Sequence, residues 1–190
     1  MLSAFGAVSA FEPSGLALGF AAKRGIGTVI EGSLPDRVPF QASSYDLVVA
    51  LDVLEHLDDD LSGLQSLFGM LKPGGYAVFT VPALPWLWSK HDEINHHRRR
   101  YTSHSLNRVI GSAGFRPLRI TYYNSLLFPL VAVIRAGKWL LRADSAPDEK
   151  MPSEPLNAAL RTIFASESWL LRRIAFPIGV SLLAVVRRAS

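Results

Sequence analysis

Short runs of apolar residues alternate along this chain with segments whose apolar residues recur at helical spacing. The run from Asp46 to Leu51 is nearly continuous, as is typical of a strand that is covered on both faces. The segment from Asp60 to Met70 carries leucines three and four residues apart, with Leu71 completing the stripe, and this spacing predicts an amphipathic helix. Strand and helix patterns that alternate in this way predict an α/β protein with a doubly wound, mostly parallel sheet.

The same patterns run through a single domain that covers residues 1–190. A segment rich in Pro, Asp, Glu and Ser, from Ala143 to Pro155, is expected to be a mobile loop between the last two helices. The predicted strands are Ala7 to Phe11, Thr28 to Glu31, Asp46 to Leu51, Tyr76 to Val81, Pro117 to Tyr122 and Ile178 to Val186, and the predicted helices lie near Ser14 to Arg24, Asp60 to Met70, Ser103 to Ala113, Leu126 to Leu141 and Pro155 to Arg173.

Composition limits the class of protein. With 190 residues, of which 49% are hydrophobic, the chain is long enough for one domain with a sizeable core. It contains no cysteine, which excludes disulfides and thiolate metal sites and is compatible with a reducing cytoplasm. Residues 1–20 lack the basic start and the cleavage pattern of a secretory signal, so we expect a cytoplasmic protein.

Charge is distributed unevenly between the two halves of the chain. Residues 1–97 hold 5 Lys and Arg against 11 Asp and Glu, a net −6, whereas residues 98–190 hold 15 against 5, a net +10. The basic half favours an anionic partner, although dispersed surface charge explains it equally well. The adjacent Arg98, Arg99 and Arg100 are a weak footprint for nucleic acid without a base-stacking platform, so a nucleic-acid partner is not expected.

Polar residues follow the predicted strand that ends at Leu51, namely Asp52, Glu55 and His56. Open α/β sheets bind ligands at the carboxyl ends of their strands, so one interpretation is a cofactor or substrate pocket above the sheet. The other interpretation is that the two acids only open a helix, since acids favour a helix N-terminus. The spacing of these residues leaves both interpretations open.

The pairing of Leu51-Asp-Val-Leu-Glu-His56 with Leu71-Lys-Pro-Gly-Gly75 resembles the class I S-adenosylmethionine-dependent methyltransferases, of the kind called types 11 and 23. In that family the Lys-Pro-Gly-Gly turn ends a helix and starts the next strand. The glycines can take the left-handed cap conformation and the proline cannot continue a helix, which agrees with that role. The resemblance implies a Rossmann-like sheet with an antiparallel last strand, and S-adenosylmethionine as the cofactor.

The resemblance also implies which residues contact the methyl donor. An acid at the end of the family's second strand accepts hydrogen bonds from ribose hydroxyls. The residues after the next strand meet the adenine in the family, although the glycine and proline found there also fit a simple turn. The expected contacts are Glu12 with the ribose, Ser33 and Leu34 with the adenine, and Leu51 and Asp52 with the donor.

The first strand and glycine-rich loop of the family are not visible upstream of Glu12. A complete βαβ unit takes roughly 30 residues, whereas eleven residues precede Glu12 and Gly6 is their single glycine. We therefore expect the first strand to be missing, through N-terminal truncation or a start at an internal methionine. The alternative is that another segment or subunit fills the slot, which would otherwise expose two strand edges.

The segment from Pro82 to Thr102 follows a strand and is expected to lie over the site. The loop residues Trp86 and Trp88 are expected to shield the donor from water. The residues that follow resemble the His-Asp, then His-x-Arg-Arg-Tyr signature of a bacterial subgroup of these enzymes, in the form of His91, Asp92, His97, Arg99, Arg100 and Tyr101. The alternative is a helix-entry loop with surface arginines before a cap at Thr102 or Ser103.

Several chemistries fit the polar residues of this segment. His91 or His97 is expected to act as a general base, because imidazole titrates near neutral pH. The guanidinium groups can clamp a carboxylate or phosphate. A metal site from His91, Asp92, His96 and His97 is not expected, since adjacent histidines often diverge. The predicted acceptor-binding residues are Trp86, Trp88, Arg99, Arg100 and Tyr101.

The sequence therefore predicts methyl transfer to an unidentified small-molecule or lipid-linked acceptor. The missing loop supports an alternative, a non-catalytic remnant or regulatory subunit. The apolar segments Leu126 to Ile134 and Ile174 to Val186 fall short of the roughly 20 residues that span a bilayer. With Trp139, Arg135 and Lys138, the first could lie on a membrane surface, although burial against the sheet is favoured.

Overall fold

The computed structural model describes residues 2–25, 27–140 and 153–189. Strands and helices alternate through these residues, as the sequence predicts. The strands are β1 (Ser9–Glu12), β2 (Thr28–Glu31), β3 (Tyr45–Leu51), β4 (Leu71–Pro82), β5 (Phe115–Tyr123) and β6 (Ser181–Arg188); the helices are α1 (Gly15–Lys23), α2 (Asp60–Met70), α3 (Lys90–Ile94), α4 (Ser103–Ser112), α5 (Phe128–Leu140) and α6 (Glu154–Leu171).

The strands form two groups. β3 and β4 are parallel, and β6 lies antiparallel between β4 and β5, which gives the order β3-β4-β6-β5. β1 and β2 form a separate parallel pair. The antiparallel last strand is thus confirmed, with bounds two to three residues later than predicted. Within the described residues, no further strand pairs with β1 or with the free edge of β3, where the family's first strand would lie.

Aromatic contacts connect the two groups of strands. The ring of Phe40 lies 5.8 Å from that of Phe11 in β1 and 5.4 Å from that of Tyr45 in β3, measured between ring centroids. Phe40 itself belongs to the connection between β2 and β3 and is partly buried against the core. These contacts hold the end of β1 beside the four-stranded sheet.

The core lies between the four-stranded sheet and the helices α2 and α4. Both helices contact the sheet and each other. Their inward residues are leucines and isoleucine at helical spacing, and burying each such side chain contributes about 1.5–3 kcal/mol. The fully buried members include Leu64, Leu106 and Ile110 from the helices and Phe79, Val81, Leu182 and Ala184 from the sheet.

Side-chain caps set the start of both helices. Asp59 accepts a 3.0 Å hydrogen bond from the amide of Ser62 and thereby begins α2. Thr102 accepts a 3.1 Å hydrogen bond from the amide of Ser105 and begins α4, so the cap that was predicted at Thr102 or Ser103 is Thr102. Such caps are typically worth about 1 kcal/mol, because they satisfy amides that have no partner within the helix.

The Lys-Pro-Gly-Gly segment differs from its prediction. The strand was expected to begin at Tyr76, whereas β4 begins at Leu71, which pairs with Tyr45. Gly74 has φ +79°, and the pairing register shifts between Tyr45 and Leu47, so these residues form an irregular start of the strand. Leu71 is fully buried in that strand, and its predicted place in the helical stripe is wrong.

Two further predictions are corrected. Helix α3 lies in a segment that was predicted to be a loop; Ser89 and Asp92 form a capping box that starts it. Most of the expected mobile loop, residues 143–152, lies outside the described residues. Glu154 belongs to the first turn of α6 instead of the loop, and the helix that was predicted to begin at Pro155 thus begins one residue earlier.

The start of α5 is fixed by a buried acid. Glu167 of α6 accepts hydrogen bonds from the amides of Ser125 (3.0 Å) and Leu126 (3.3 Å). Leu130 and Val133 of α5 are nevertheless 56% and 70% exposed, so its apolar surface is only partly covered. The side chains of Ile134 and Trp139 lie outside the described part of the structure. No helix among the described residues is long and apolar enough to cross a membrane.

Candidate functional site

Glu12 marks the carboxyl end of β1. Its Oε1 accepts a 3.0 Å hydrogen bond from the amide of Ser14, and Ser14 in turn caps α1 by accepting from the amide of Ala17. The acid thus stands where β1 turns into α1, at the edge of the parallel pair where ligands of α/β proteins bind. This is the position that the sequence predicts for a ribose-binding acid.

Ser33 and Leu34 follow the end of β2 in a tight turn. The amide and carbonyl of Ser33 both bond to the backbone of Arg37, at 3.0 and 2.9 Å. Leu34 packs against the core, and the peptide bond between Leu34 and Pro35 is cis. The turn interpretation of these residues therefore holds, and their predicted contact with adenine stays a prediction.

Leu51 is the last residue of β3 and has an exposed apolar side chain, and the acidic Asp52 follows it directly. Leu51 is 55% exposed although it is a strand residue. Asp52 adopts φ +52°, a left-handed conformation that a non-glycine residue adopts only when its surroundings hold it. Thr80 of β4 supplies that support, because its hydroxyl accepts from the amide of Asp52 at 3.1 Å and donates to Oδ1 at 3.1 Å.

Glu55 lies in a 3-10 turn, Leu54–His56, that follows β3. It is fully buried, and neither carboxylate oxygen has a hydrogen-bond partner in the described part of the chain. Burial raises its pKa to about 7, with the Asp52 carboxylate acting in the same direction and the Arg100 guanidinium against it. Asp59 caps α2, so Glu55 does not open that helix, although it lies in the first turn of the short 3-10 element.

Two imidazoles lie beside Glu55. The ring centroids of His56 and His97 are 4.8 Å apart in an edge-to-face arrangement. Burial and the neighbouring His97 lower the pKa of His56 below its usual value. One side-chain ligand atom from each of Glu55, His56 and His97 lies within 4.8 Å of the other two.

Asp92 organises the segment that covers this point. It is fully buried and accepts hydrogen bonds from the Ser89 amide (2.9 Å), from Nδ1 of His97 (3.0 Å) and from Nε of Arg100 (2.8 Å). Burial alone would raise the pKa of Asp92, but the bonds from Arg100 and His97 outweigh it and hold the pKa below its usual value. Asp92 is therefore an anion that fixes both the imidazole and the guanidinium.

The other residues of the signature contact the chain itself. Arg99 donates to the carbonyls of Leu57 (2.9 Å) and Asp58 (2.7 Å) and pairs with Asp60 at 3.1 Å. The Tyr101 hydroxyl donates a 2.7 Å hydrogen bond to Asp60. These bonds fasten the segment to the turn before α2, and a role for either residue in acceptor binding stays a prediction.

The two tryptophans and His91 lie at the outer side of the segment. Trp86 is 58% exposed, and its ring meets that of Phe128 in α5 edge to face, 6.1 Å between centroids. Trp88 is also exposed. The His91 ring nitrogen lies 3.1 Å from the Asn95 side-chain amide, and its ring is 6.5 Å from that of His97.

Sequence reasoning missed two functional features of this site. It named Glu55 and His56 as polar residues after a strand and as part of the family motif, but it did not bring them together with His97, which follows some forty positions later. It also did not single out Thr80, whose support of Asp52 depends on the pairing of β3 with β4. The left-handed Asp52 and the Asp92 bonds have no signal in the one-dimensional pattern.

Comparison with known proteins gives the same picture for the fold. A family model described as a methyltransferase domain matches residues 5–120, more than half of the chain. A ubiquinone biosynthesis O-methyltransferase of Vibrio parahaemolyticus is 36% identical over 54 residues, and that of Vibrio campbellii is 34% identical over 54 residues. Each match covers 28% of this chain, which spans only 23% of the length of either relative.

Solved structures resemble the whole chain at low sequence identity. A putative methyltransferase of Haloferax volcanii, in complex with the Trm112 methyltransferase activator, aligns with 100% of this chain and 76% of its own, at a TM-score of 0.62 and 14% identity. Haemonchus contortus phosphoethanolamine N-methyltransferase 2 in complex with S-adenosyl-L-methionine aligns with 100% of this chain and 45% of its own, at 0.62 and 13% identity. The likeness confirms the Rossmann-like fold.

Proposed function

This chain belongs to the family of methyltransferase domains, and from that premise we propose that it transfers a methyl group from S-adenosylmethionine to a small-molecule or lipid-linked acceptor. One observation carries the proposal: Asp52, in a left-handed conformation held by Thr80, stands at the carboxyl end of β3 close to the buried Glu55, which itself lies beside His97. This is the edge at which open α/β sheets bind ligands.

The residues of the donor side fit the cofactor. Glu12 offers a carboxylate for the ribose hydroxyls, and the exposed side chain of Leu51 offers an apolar surface beside Asp52. S-adenosylmethionine supplies a methyl group on a positively charged sulfur, so that methyl transfer leaves a neutral thioether. The protein then has to hold the acceptor atom in line with the methyl carbon and to exclude water.

On the acceptor side, His97 is better placed than His91. Its Nδ1 is bonded to the Asp92 carboxylate, which fixes the ring and leaves Nε2 for the acceptor. The His91 ring is instead engaged by the Asn95 side chain at the outside of the segment. We therefore assign activation of the acceptor to His97, in support of which the curated relatives are named O-methyltransferases.

The rim of the site favours an acceptor with an apolar part. Trp86 meets Phe128 at the start of α5, and Leu126 and Leu130 nearby are exposed. Exposed aromatic and aliphatic side chains of this kind mark surfaces that bind apolar ligands or membranes. We include peripheral contact with a membrane, delivering a lipid-linked acceptor, in the proposal.

Calorimetric titration of the purified chain with S-adenosylmethionine tests the donor side. We expect saturable binding that Glu12→Gln weakens about 10-fold or more, because a hydrogen bond to a charged group is lost. Glu31→Gln, at the end of β2, is the matched control, since among the described residues that acid forms an ion pair with the exposed Arg37 alone. A folded chain that does not bind the donor would overturn the proposal in favour of a non-catalytic remnant or regulatory subunit.

A further inference from the structure

Glu55, His56 and His97, here called the Glu55 cluster, converge from two distant parts of the sequence. Glu55 and His56 come from the turn after β3, and His97 comes from the segment between α3 and α4. One ligand atom from each lies within 4.8 Å of the others. Imidazole nitrogens and a carboxylate oxygen are the donor set that zinc and related transition metals prefer.

Glu55 is the part of the cluster that the fold alone does not explain. Its side chain is 0% exposed, and both carboxylate oxygens are without a hydrogen-bond partner in the described residues. Buried carboxylates in proteins are normally paired, hydrogen-bonded or bound to a metal, because leaving one unpaired is costly. The position therefore calls for a cation or a proton at its oxygens.

The surroundings of His97 match those of a metal ligand. Nδ1 of its ring lies 3.0 Å from Oδ1 of the buried Asp92, so that Nε2 is the ring nitrogen that remains available to an ion. Histidines that bind metals characteristically use their second nitrogen in this way, because the carboxylate fixes the ring and increases its basicity. Asp92 is itself held by Arg100 at 2.8 Å, which keeps the support rigid.

His56 gives the cluster an opening to solvent. Its side chain is exposed, whereas that of Glu55 is buried and that of His97 is half-buried. An ion can thus enter past His56 without unfolding the turn. The ligand atoms, which lie within 4.8 Å of one another, have to approach to about 3.4 Å, the separation of two ligands around a tetrahedral zinc ion with bonds near 2.1 Å. Rotation of the exposed His56 side chain can supply part of that change.

We propose that Glu55, His56 and His97 form a binding site for one divalent transition-metal ion of the zinc type. Three protein ligands leave a fourth position open, which is the pattern of catalytic rather than structural zinc sites. If the proposed methyl transfer goes to an oxygen acceptor, the open position would take that oxygen and polarise its hydroxyl, whose proton then passes to solvent. With Nε2 on the ion, His97 would act by holding the ion and not as the base itself.

The test uses the purified 190-residue chain, prepared without a polyhistidine tag and stripped of metal by a chelator. Titration with Zn²⁺ followed by calorimetry is expected to show one ion per chain with a micromolar or tighter dissociation constant. Replacement of Zn²⁺ by Co²⁺ is expected to give the visible absorption of a low-symmetry, four-coordinate site. Millimolar Mg²⁺ is expected to be silent, because imidazole is a poor ligand for that ion.

Single substitutions assign the ligands. Glu55→Gln and His56→Ala are each expected to weaken Zn²⁺ binding about 10–100-fold or more, the range found when even supporting residues of metal sites are lost. His104→Ala is the matched control, since it removes an exposed imidazole on α4, and His91→Ala removes one close to the cluster without removing a ligand. His56 is exposed, so its variant is expected to stay folded even where Glu55→Gln does not.

Two results overturn the site: a folded chain without saturable Zn²⁺ binding, and Zn²⁺ binding that survives both Glu55→Gln and His56→Ala. Donor binding is measured separately, in the chelator, on the same samples. Zn²⁺ binding without donor binding would leave the metal site standing and reject the proposed methyl transfer. Donor binding without Zn²⁺ binding would leave the proposed methyl transfer standing and reject the metal site.

Discussion

Nε of Arg100 lies 2.8 Å from Oδ1 of Asp92, and both side chains are buried. The same guanidinium donates to the carbonyl of Ala83 at 3.0 Å, just beyond the end of β4. Asp92 begins α3 through the Ser89 amide. This pair therefore fastens the segment with the two tryptophans and His97 to the sheet.

Asp92→Asn is expected to destabilise the fold by about 3–5 kcal/mol, because it leaves the Arg100 guanidinium buried without its counter-charge. Urea unfolding followed by circular dichroism measures the loss. The control is Arg98→Gln, since Arg98 and its partner Asp58 are both exposed and such pairs contribute about 0–1 kcal/mol. Equal losses in the two variants would show that the buried pair has no special weight.

Tyr101→Phe tests the bond that joins the same segment to α2. The variant removes the 2.7 Å hydrogen bond to Asp60 while keeping the buried ring, so we expect a loss of about 1–3 kcal/mol from the unsatisfied carboxylate oxygen. Burial and the bond to Asp60 raise the pKa of Tyr101 above the usual 10.0. Above pH 10.0 the unfolded state therefore loses the Tyr101 proton that the folded state keeps. The free energy of unfolding of the wild type thus falls as the pH rises above that value.

Measurement of the free energy of unfolding from neutral pH to above the usual tyrosine pKa checks both the loss of stability in Tyr101→Phe and the alkaline fall in the wild type. The alkaline fall in stability is expected to be smaller in Tyr101→Phe than in the wild type. Tyr76→Phe is the control, because the Tyr76 ring is exposed beside Arg187. An alkaline profile that is identical in Tyr101→Phe and the wild type would contradict the assignment.

The elements that sequence reasoning placed well are those with a complete local signal. β2 and α2 have the predicted bounds. For α2, a stripe of leucines follows a polar turn that marks where the helix begins. For β2, a short apolar run lies between two glycine-containing turns. α3 was not predicted. Its five residues carry no apolar stripe, and only the Ser89 capping box, together with the buried bonds of Asp92, makes it form.

The candidate site likewise contains residues that the sequence predicts and residues that it does not. Glu12 and Asp52 stand at strand ends, and the end of a strand can be read from the sequence. The Glu55 cluster depends on a contact between residues about forty positions apart, and no periodicity reports such a contact. Leu71 shows the limit most directly, since its spacing fits the helical stripe while pairing with Tyr45 draws it into β4.

Thr80→Val tests whether the support of Asp52 matters for the donor. Valine keeps the shape of threonine but removes the hydroxyl that bonds to both the amide and the carboxylate of Asp52. We expect affinity for S-adenosylmethionine to fall about 10-fold, as for the loss of a hydrogen bond to a charged group. Calorimetry measures the dissociation constant.

The matched control for Thr80→Val is Thr121→Val in β5. That hydroxyl accepts a 2.9 Å hydrogen bond from the Phe176 amide, and β6 separates its strand from β4, which carries Thr80. Its loss is expected to lower stability by about 1–3 kcal/mol while donor affinity is unchanged. If both variants lowered donor affinity equally, the effect would belong to the sheet as a whole rather than to Asp52.

Asp59 offers a pH-dependent test of the cap that begins α2. Hydrogen bonds from the Ser62 hydroxyl (2.6 Å) and amide (3.0 Å) hold the pKa of Asp59 below its usual 3.8. A carboxylate whose pKa is lower in the folded state stabilises that state above the usual pKa, and the contribution disappears as pH falls through the lowered value. Asp59→Ala is therefore expected to lower the melting temperature at neutral pH, and this difference from the wild type is expected to shrink as the pH falls below the usual aspartate pKa of 3.8. Asp59→Ser is the matched variant, since serine caps a helix without an ionisable group. Asp59→Ser should keep most of the wild-type stability at neutral pH, and its melting temperature should fall less than that of the wild type as the pH is lowered. If the difference in melting temperature between the wild type and Asp59→Ala were constant from neutral to acid pH, packing and not the ionised cap would hold the start of α2.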